Sequence, residues 1–193
     1  MLVGILILPT AAMPVAVGLI FRYMFNNEYG IISYFLQGLH LIGPGTSLEE
    51  GILSNPAAAM TAIIATDIWE WTPFIALVLL GGLMSLSRDP YEAARIDGAS
   101  SWRILWSITL PLLKPVMMVA VLIRLSDAAK VLDIVYVLTK GGPGISTETS
   151  HLMGYLINFK QFNMGYGSAQ MLILTLIVLA VSVAVFQQLN RGN

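Results

Sequence analysis

Three ionisable residues lie inside apolar stretches of the sequence, where a charge is expensive. Asp67 and Glu70 fall within the apolar run 57–86, and Arg124 falls within the run that starts near 112. A charge at the centre of a bilayer costs about 2.5–3.5 kcal/mol on insertion scales, so such residues are functional by default. At 1.5 Å per residue, Asp67 lies about 15 Å into its run and Arg124 about 18 Å into the next, entering from the opposite side. We therefore predict that Arg124 pairs with Asp67 or Glu70.

Charged residues of alternating sign continue after Arg124. Asp127, Lys130 and Asp133 follow it at a spacing of three, which allows local ion pairs on one helix face. The sequence leaves two interpretations open: the charges hold helices together, or they line a polar path or gate together with aromatic side chains. The candidate residues of that path are Asp67, Trp69, Glu70, Trp71, Arg124, Asp127 and Tyr136.

Signatures of covalent chemistry are missing from the sequence. There is no cysteine, hence neither a disulfide framework nor a cysteine metal site. The phosphate-loop pattern G-x-x-x-x-G-K-[ST] is absent, since the glycine-rich stretch 141–144 lacks the lysine. Neither a metal cluster nor a nucleophile–base pair stands out. The net charge of −1 provides no basic field for nucleic acid. We expect a protein that is not an enzyme and binds no cofactor or metal.

The composition is that of a membrane protein. Apolar residues make up 56% of the 193 residues and charged residues only 11%, whereas a soluble domain carries about 25% charged residues. A helix that crosses the bilayer needs about 20 mostly apolar residues. The sequence predicts an all-α, polytopic membrane helical bundle of about four transmembrane helices. Their predicted bounds are 2–25, 57–86, 112 to about 126 or further, and 169–189.

Basic residues between the apolar runs predict the orientation of the chain in the membrane. Arg88, Arg95, Arg103 and Lys114 follow the second run, whereas the segment between the first two runs carries Glu28, Glu49 and Glu50. The positive-inside rule then places the loop 87–111 and both chain termini in the cytoplasm. The segments 26–56 and 139–167 face outside.

The loop 87–111 contains a spaced pattern. It reads Glu92-Ala93-Ala94, three residues, Gly98, nine residues, and then I-x-L-P at 108–111. Asp89 before Pro90 predicts a capped helix start, and Gly98 suits a C-terminal position with positive φ. Ser100 or Ser101 is the predicted cap of a second helix, and Pro111 marks the predicted start of the third span. We predict two short helices around a glycine turn.

This pattern resembles the EAA loop of the inner-membrane permeases of binding-protein-dependent ABC importers. Trp69–Phe74 is similar to the W-x-W-T-P-F segment of the sugar-permease branch. Leu138–Pro143 with Ser146–Thr149 is similar to the L-T-x-G-G-P…S-T-E-T stretch of that branch. The likeness covers essentially all of the chain, as a single type-1 permease domain over 1–193.

The resemblance implies a docking role for the loop. In the family, the EAA loop is a coupling helix that lies in a cleft of a separate ATPase subunit, which binds ATP and Mg²⁺. By residue match, the docking set is Glu92, Ala93, Ala94, Gly98, Ala99, Ile108, Leu110 and Pro111. A solvated amphipathic loop helix is the plainer alternative, but it predicts neither the spacing nor the location.

The resemblance also implies the partners and the substrate. These are a second permease subunit, two ATPase subunits, an external solute-binding protein, the lipid bilayer, and a carbohydrate or related polyol. Aromatic faces stack on the C–H face of a pyranose, so Trp69, Trp71 and Tyr136 suit a sugar path. Gly141, Gly142 and Pro143 form either a plain turn or a contact with the solute-binding protein. A stand-alone channel or secondary carrier gives no reason for the EAA spacing.

The chain departs from the family in two respects. Members of this type usually have six or more spans, and this sequence begins at the third, so we expect two N-terminal helices to be missing. A truncated relic that inserts but does not transport is the corresponding alternative. In addition, Ala129 and Leu132 stand where the family often has aromatic residues.

Overall fold

The computed structural model of the chain describes residues 2–43 and 48–190, and within these ranges all regular structure is helical. Three of the described helices are long and apolar enough to cross a membrane: Pro56–Met84, Ser101–Ala128 and Met164–Gln188. They correspond to the second, third and fourth predicted spans. The all-α fold class is therefore confirmed.

The first predicted span is two helices rather than one. Helix α1 runs over Leu2–Ala11 and α2 over Pro14–Met24. Met13, between them, has an extended backbone with φ −68° and ψ 132°. Proline disfavours the α conformation of the residue before it, which accounts for the interruption at Met13. A short helix α3, Ile31–Gly38, follows.

Helix α4, Pro56–Met84, is the longest element. It starts with a capped turn, since the side chain of Asn55 accepts hydrogen bonds from the amides of Ala57 (3.0 Å) and Ala58 (3.1 Å). Pro73 lies inside it without ending it, because neighbouring groups in a bundle can satisfy the carbonyl that a proline leaves free. The helix thus carries Asp67 and Glu70 on one continuous axis.

The predicted pair of helices around Gly98 is present. Helix α5 spans Asp89–Ile96, and Gly98 adopts φ +72°. Ser100 caps the next helix by accepting a hydrogen bond from the amide of Arg103 (3.4 Å). The expected cap at Asp89 is wrong: the helix begins at Asp89, and its N-cap residue is Arg88, which makes no side-chain cap bond.

The third span begins earlier than the sequence predicts. Helix α6, Ser101–Ile104, a π-helical turn, Leu105–Thr109, and α7, Leu110–Ala128, join into one rod of 28 residues. Pro111 therefore lies within the rod and does not start it. The π-helical turn changes the hydrogen-bond register just before Pro111, where the backbone lacks an N–H donor.

The remaining helices lie at the end of the bundle opposite to α5. Helix α8 spans Asp133–Leu138, α9 spans Ser150–Phe159, and α10 spans Met164–Asn190. Helix α2 packs on α8, while α10 packs on α9 and α7. The buried core lies at this end, which we call the outer end, with Phe25, Ile42, Ile52, Ala62, Ile63, Ile134, Val135, Leu138 and Leu152.

Near the other end, which carries α5 and is called the EAA end, α4 and α7 approach closely at a glycine. A Cβ atom at Gly82 would lie 2.8 Å from Cγ1 of Val116 and 2.9 Å from Cδ1 of Leu113. Val116 is β-branched and stiff at χ1, so it yields little room. The preceding residue, Gly81, has no neighbouring atom within 4 Å of such a Cβ. Gly82 thus sets the spacing of the two helices.

We expect Gly82→Leu to lower the free energy of unfolding by about 1–3 kcal/mol, the usual cost of overpacking a tight interface. Gly81→Leu is the matched control, because it places the same side chain on the open face of the same helix turn. Thermal unfolding in detergent, followed by tryptophan fluorescence, measures both. Equal destabilisation by the two substitutions would contradict the assignment of Gly82 as the contact point.

Candidate functional site

The centre of the bundle contains an ion pair between α4 and α7. The guanidinium of Arg124 donates a hydrogen bond to Oδ2 of Asp67. The two side chains are 21% and 20% exposed. The pairing predicted for Arg124 is confirmed, and the structure selects Asp67 over Glu70. The pair links the two helices that flank the EAA loop.

Trp71 extends this pair into an aromatic cluster. The guanidinium carbon of Arg124 lies 5.0 Å from the centroid of the Trp71 ring, within the range of a cation–π contact. Trp71 also meets Phe74 edge-to-face, with ring centroids 5.9 Å apart. The indole therefore holds the guanidinium from a second direction.

Glu70 lies one turn beyond Asp67 and is only 3% exposed. Its Oε2 atom has no hydrogen-bond partner among the described residues. The side chain lines a cavity of about 240 Å³ between α2, α4 and the segment that joins α7 to α8. The lining residues are Pro14, Asp67, Glu70, Trp71, Asp127, Lys130, Val131, Leu132, Asp133 and Ile134. We call it the central cavity.

A second ion pair stands at the rim of the central cavity. The ammonium of Lys130 lies 3.8 Å from Oδ1 of Asp127, and the two side chains are 58% and 32% exposed. This is the i, i+3 pairing that the alternating charges predict. Since it is more exposed than the pair of Arg124 with Asp67, it contributes less to stability.

Two predicted path residues lie elsewhere. Trp69 meets Phe21 edge-to-face at 5.1 Å and is 46% exposed. Tyr136 meets Tyr155 at 5.6 Å. Neither residue is among those that line the central cavity. Of the three aromatic residues suggested for one path, the structure brings only Trp71 to the carboxylates.

The EAA loop presents an exposed face. Glu92, Ala93 and Gly98 are exposed, whereas Ala94 is 8% exposed and packs against the chain. The two alanines of the motif therefore face in different directions, and Ala99 is half-buried. Ile108, Leu110 and Pro111 lie on the rod, about 10–15 Å beyond Ser101 at 1.5 Å per residue. The motif thus divides into a loop part and a rod part.

Large apolar residues accompany the motif on the surface. Ile96, at the tip of α5, is 86% exposed, and Trp102 is 69% exposed. Trp102 meets Trp106 at 5.8 Å on the rod. Exposed apolar side chains of this size beside a polar loop are typical of a surface that contacts another protein or the membrane interface. The EAA pattern does not include Ile96. The position of a large apolar residue between the charged residues Arg95 and Asp97 was nevertheless a sequence signal for this exposed apolar surface.

The segment 138–149 forms a compact turn at the outer end. Gly141 and Gly144 adopt φ +91° and +61°, and the peptide bond from Gly142 to Pro143 is cis. The hydroxyl of Thr147 donates to the carbonyl of Gly142 at 2.7 Å. It also lies 2.7 Å from the hydroxyl of Thr139. The tight turn predicted from the glycines is confirmed.

This turn borders an open groove of about 560 Å³ at the outer end. Gly142 and Pro143 line it, and Gly141 is buried behind them. The groove gathers segments that are distant in sequence, namely 25–27 after α2, 50–54 before α4, and 138–143 after α8. The two segments predicted to face outside therefore meet at one end of the bundle.

The helical bundle with its three candidate membrane spans is that of a polytopic membrane protein. The chain belongs to the inner membrane components of binding-protein-dependent transport systems, a family whose profile matches residues 2–191. The chain is 39% identical over 183 residues to the trehalose/maltose transport system permease protein MalF of Thermococcus litoralis. These residues are 94% of this chain and 59% of the relative.

Solved structures show the same fold. A bacterial ABC transporter involved in the import of the acidic polysaccharide alginate matches 98% of this chain and 65% of its own chain, with a TM-score of 0.84 at 21% identity. The bacterial alginate ABC transporter in complex with a periplasmic protein bound to an alginate pentasaccharide matches 95% of this chain and 62% of its own, with a TM-score of 0.81 at 21% identity. This chain spans less than two thirds of the length of each.

We expect Asp67→Asn and Arg124→Gln each to lower the free energy of unfolding by about 3 kcal/mol, the lower end for buried pairs, because about a fifth of each side chain stays exposed. The double variant is expected to lose less free energy of unfolding than the two single variants lose together, with a coupling energy above about 1 kcal/mol. Denaturant titration in detergent measures the cycle.

The same cycle on Asp127 and Lys130 is the control. This exposed pair is expected to couple by less than about 1 kcal/mol. Additive effects of the Asp67 and Arg124 substitutions would contradict a stabilising pair between α4 and α7.

Proposed function

We propose that the chain is a permease subunit of an ABC importer that moves a carbohydrate or a related polyol across the cytoplasmic membrane. One observation carries the proposal: the exposed α5 is joined through Gly98 and Ser100 to an unbroken 28-residue rod that carries Arg124. Arg124 is the ion-pair partner of Asp67, which lines the central cavity. A movement of α5 is therefore transmitted to the charged interior by a stiff helix.

In this proposal an ATPase subunit docks on the EAA end. Glu92, Ala93 and Gly98 form the contact together with Ile96, and Glu92 pairs with a basic group or bonds a backbone donor of the partner. Ala94 and Ala99 pack α5 on its own chain. Ile108, Leu110 and Pro111 belong to the rod that follows the movement. ATP and Mg²⁺ bind to two such ATPase subunits, and this chain itself holds no cofactor and catalyses no reaction.

At the outer end, the groove beside Gly142 and Pro143 is the proposed contact for an external solute-binding protein. Support comes from the convergence of three segments there and from the match to a transporter solved with its periplasmic protein. A second permease subunit completes the path as a heterodimer. The EAA loop and both termini lie in the cytoplasm, as the basic residues of the loop indicate.

The central cavity is the proposed part of the sugar path that this chain contributes. It places carboxylates beside the Trp71 ring, and such sites combine an apolar face with a few polar groups. The relative from Thermococcus litoralis, named for trehalose and maltose transport, supports a carbohydrate as the substrate.

We expect Glu92→Lys to abolish ATP-driven sugar uptake and co-purification of the ATPase, because the reversed charge meets the partner's contact for Glu92. The permease is co-expressed with its partner subunits, and uptake of labelled sugar and recovery of the ATPase are measured together. Asp97→Lys, an equal charge reversal on an exposed neighbour, is the control and retains both. Normal uptake in Glu92→Lys at normal membrane levels would overturn the coupling role.

A second test concerns the backbone conformation of Gly98 in the turn after α5. No atom of the described residues lies within 4 Å of a Cβ atom placed at Gly98, but its φ of +72° favours glycine or asparagine. Asparagine and valine are similar in size, so the two variants differ chiefly in how well they adopt this φ. We expect Gly98→Asn to retain most uptake and Gly98→Val to lose it at equal expression. If the two variants behaved alike, the positive φ of Gly98 would not be required for coupling.

A further inference from the structure

The segment between α2 and α4 contains a long stretch without charge at the outer end. From 29 to 48 the sequence has no aspartate, glutamate, lysine or arginine, and Glu28 and Glu49 flank the stretch. A helix that crosses the bilayer needs about 20 such residues. Helix α3, Ile31–Gly38, has only eight, which at 1.5 Å per residue cover about 12 Å of a hydrocarbon core of about 30 Å. The stretch is therefore uncharged like a span, but α3 is too short to cross the bilayer.

One side of α3 is fixed to the protein. Ser33 is fully buried, and its hydroxyl donates a hydrogen bond to the carbonyl of Phe25 at 3.1 Å. Ile32 and Leu36 pack against the buried core of the outer end. Because a hydrogen bond and apolar contacts hold this side, the rotation of α3 about its axis is fixed. The residues opposite to Ser33 therefore face away from the chain.

The outward side of α3 is apolar and aromatic. Ile31, Tyr34 and Phe35 are spaced i, i+3 and i+4 and share one face, where they are 55%, 73% and 63% exposed. The rings of Tyr34 and Phe35 meet edge-to-face, with centroids 5.9 Å apart. A surface helix in water shows the reverse arrangement, with its charged and polar residues outward. The outward face of α3 therefore suits an apolar surrounding.

Two tyrosines connect this face to the outer end of α2. Tyr23 lies in the last turn of α2, and Tyr29 directly precedes the N-cap residue of α3. Both are exposed, and their ring centroids are 6.2 Å apart. Helix α2 is an apolar helix of the first predicted span, so Tyr23 stands where that span meets the outer surface. Tyrosine is enriched at membrane–water interfaces, because its ring suits the apolar layer and its hydroxyl reaches water. This continuity with a span favours lipid over a protein partner as the cover of the face.

We infer that α3 lies in the headgroup layer of the bilayer at the outer end, with Ile31, Tyr34 and Phe35 in contact with phospholipid. An interfacial helix buries its apolar face about 5–10 Å into the boundary between headgroups and acyl chains. Since Ser33 ties α3 to the core, this contact anchors the outer end of the bundle in the lipid. The inference goes beyond the proposed function, because it depends on neither a substrate nor an ATPase.

The test uses the absence of cysteine from the chain. Tyr34→Cys and Phe35→Cys each carry a nitroxide spin label. The native complex of the chain, with any cysteines of other subunits replaced, is placed in phosphatidylcholine nanodiscs without a solute-binding protein. Collisions of the label with oxygen, which is enriched among acyl chains, and with a nickel chelate, which stays in water, give its depth. Both labels are expected about 5–10 Å below the lipid phosphates.

Glu50→Cys is the control for this depth measurement. Glu50 is an exposed acid of the outer groove, and its label is expected to lie in water, open to the nickel chelate. Equal access of the nickel chelate to the labels at 34, 35 and 50 would overturn the inference, because α3 would then face water. Two label sites on one face keep the test decisive where one substitution disturbs the contact between Tyr34 and Phe35.

Two further outcomes would assign the face to a protein and also overturn the inference. One is a pair of labels at 34 and 35 that neither oxygen nor the nickel chelate reaches, since another membrane subunit would then cover α3. The other is a pair of labels that lie in water and become shielded only when a solute-binding protein is added.

Discussion

The ion pair of Asp67 with Arg124 organises the part of the molecule on which the proposed function depends. Inside a bilayer an unpaired charge has no water to solvate it, so each of these residues depends on the other. The partners stand on α4 and α7, the two helices on either side of the EAA loop. Gly82 brings the same helices together near the loop. Joined at both levels, α4, α5 and the rod form one helical hairpin, and the proposed function requires this hairpin to move as a unit.

The packing of the chain differs between its two ends. The buried core lies at the outer end, where α2, α8 and α9 hold the turn at Gly141 to Gly144. Most of α10 is apolar and exposed, as expected of a surface that meets lipid or another membrane subunit. The central cavity lies between the firm outer end and the hairpin. In the proposed function, a site in this place is bordered on one side by the buried core and on the other by the helices that would carry the movement of α5.

Much of this arrangement is readable from residue patterns. The helix–turn–helix of the EAA loop follows from local rules, because Pro90, Gly98 and Ser100 each favour one backbone conformation. The pairing of Arg124 with an acid on α4 follows from burial depth and charge alone. Other features do not follow from patterns. The interruption at Met13 and the continuation of the third span through Pro111 depend on how a proline is accommodated, and neighbouring helices decide that.

The sequence by itself determined the apolar character of the helices, the turn residues and the need for charges to pair. These properties depend on residues that are close in sequence or on the surrounding membrane, so residue composition and spacing predict them. Tertiary structure alone decided which acid pairs with Arg124, that Ala94 faces inward while Ala93 faces outward, and that Trp71 joins Glu70 at the central cavity without Trp69 or Tyr136. Those outcomes depend on the rotation of each helix about its axis, which is fixed by contacts between residues far apart in the chain, such as Gly82 with Val116.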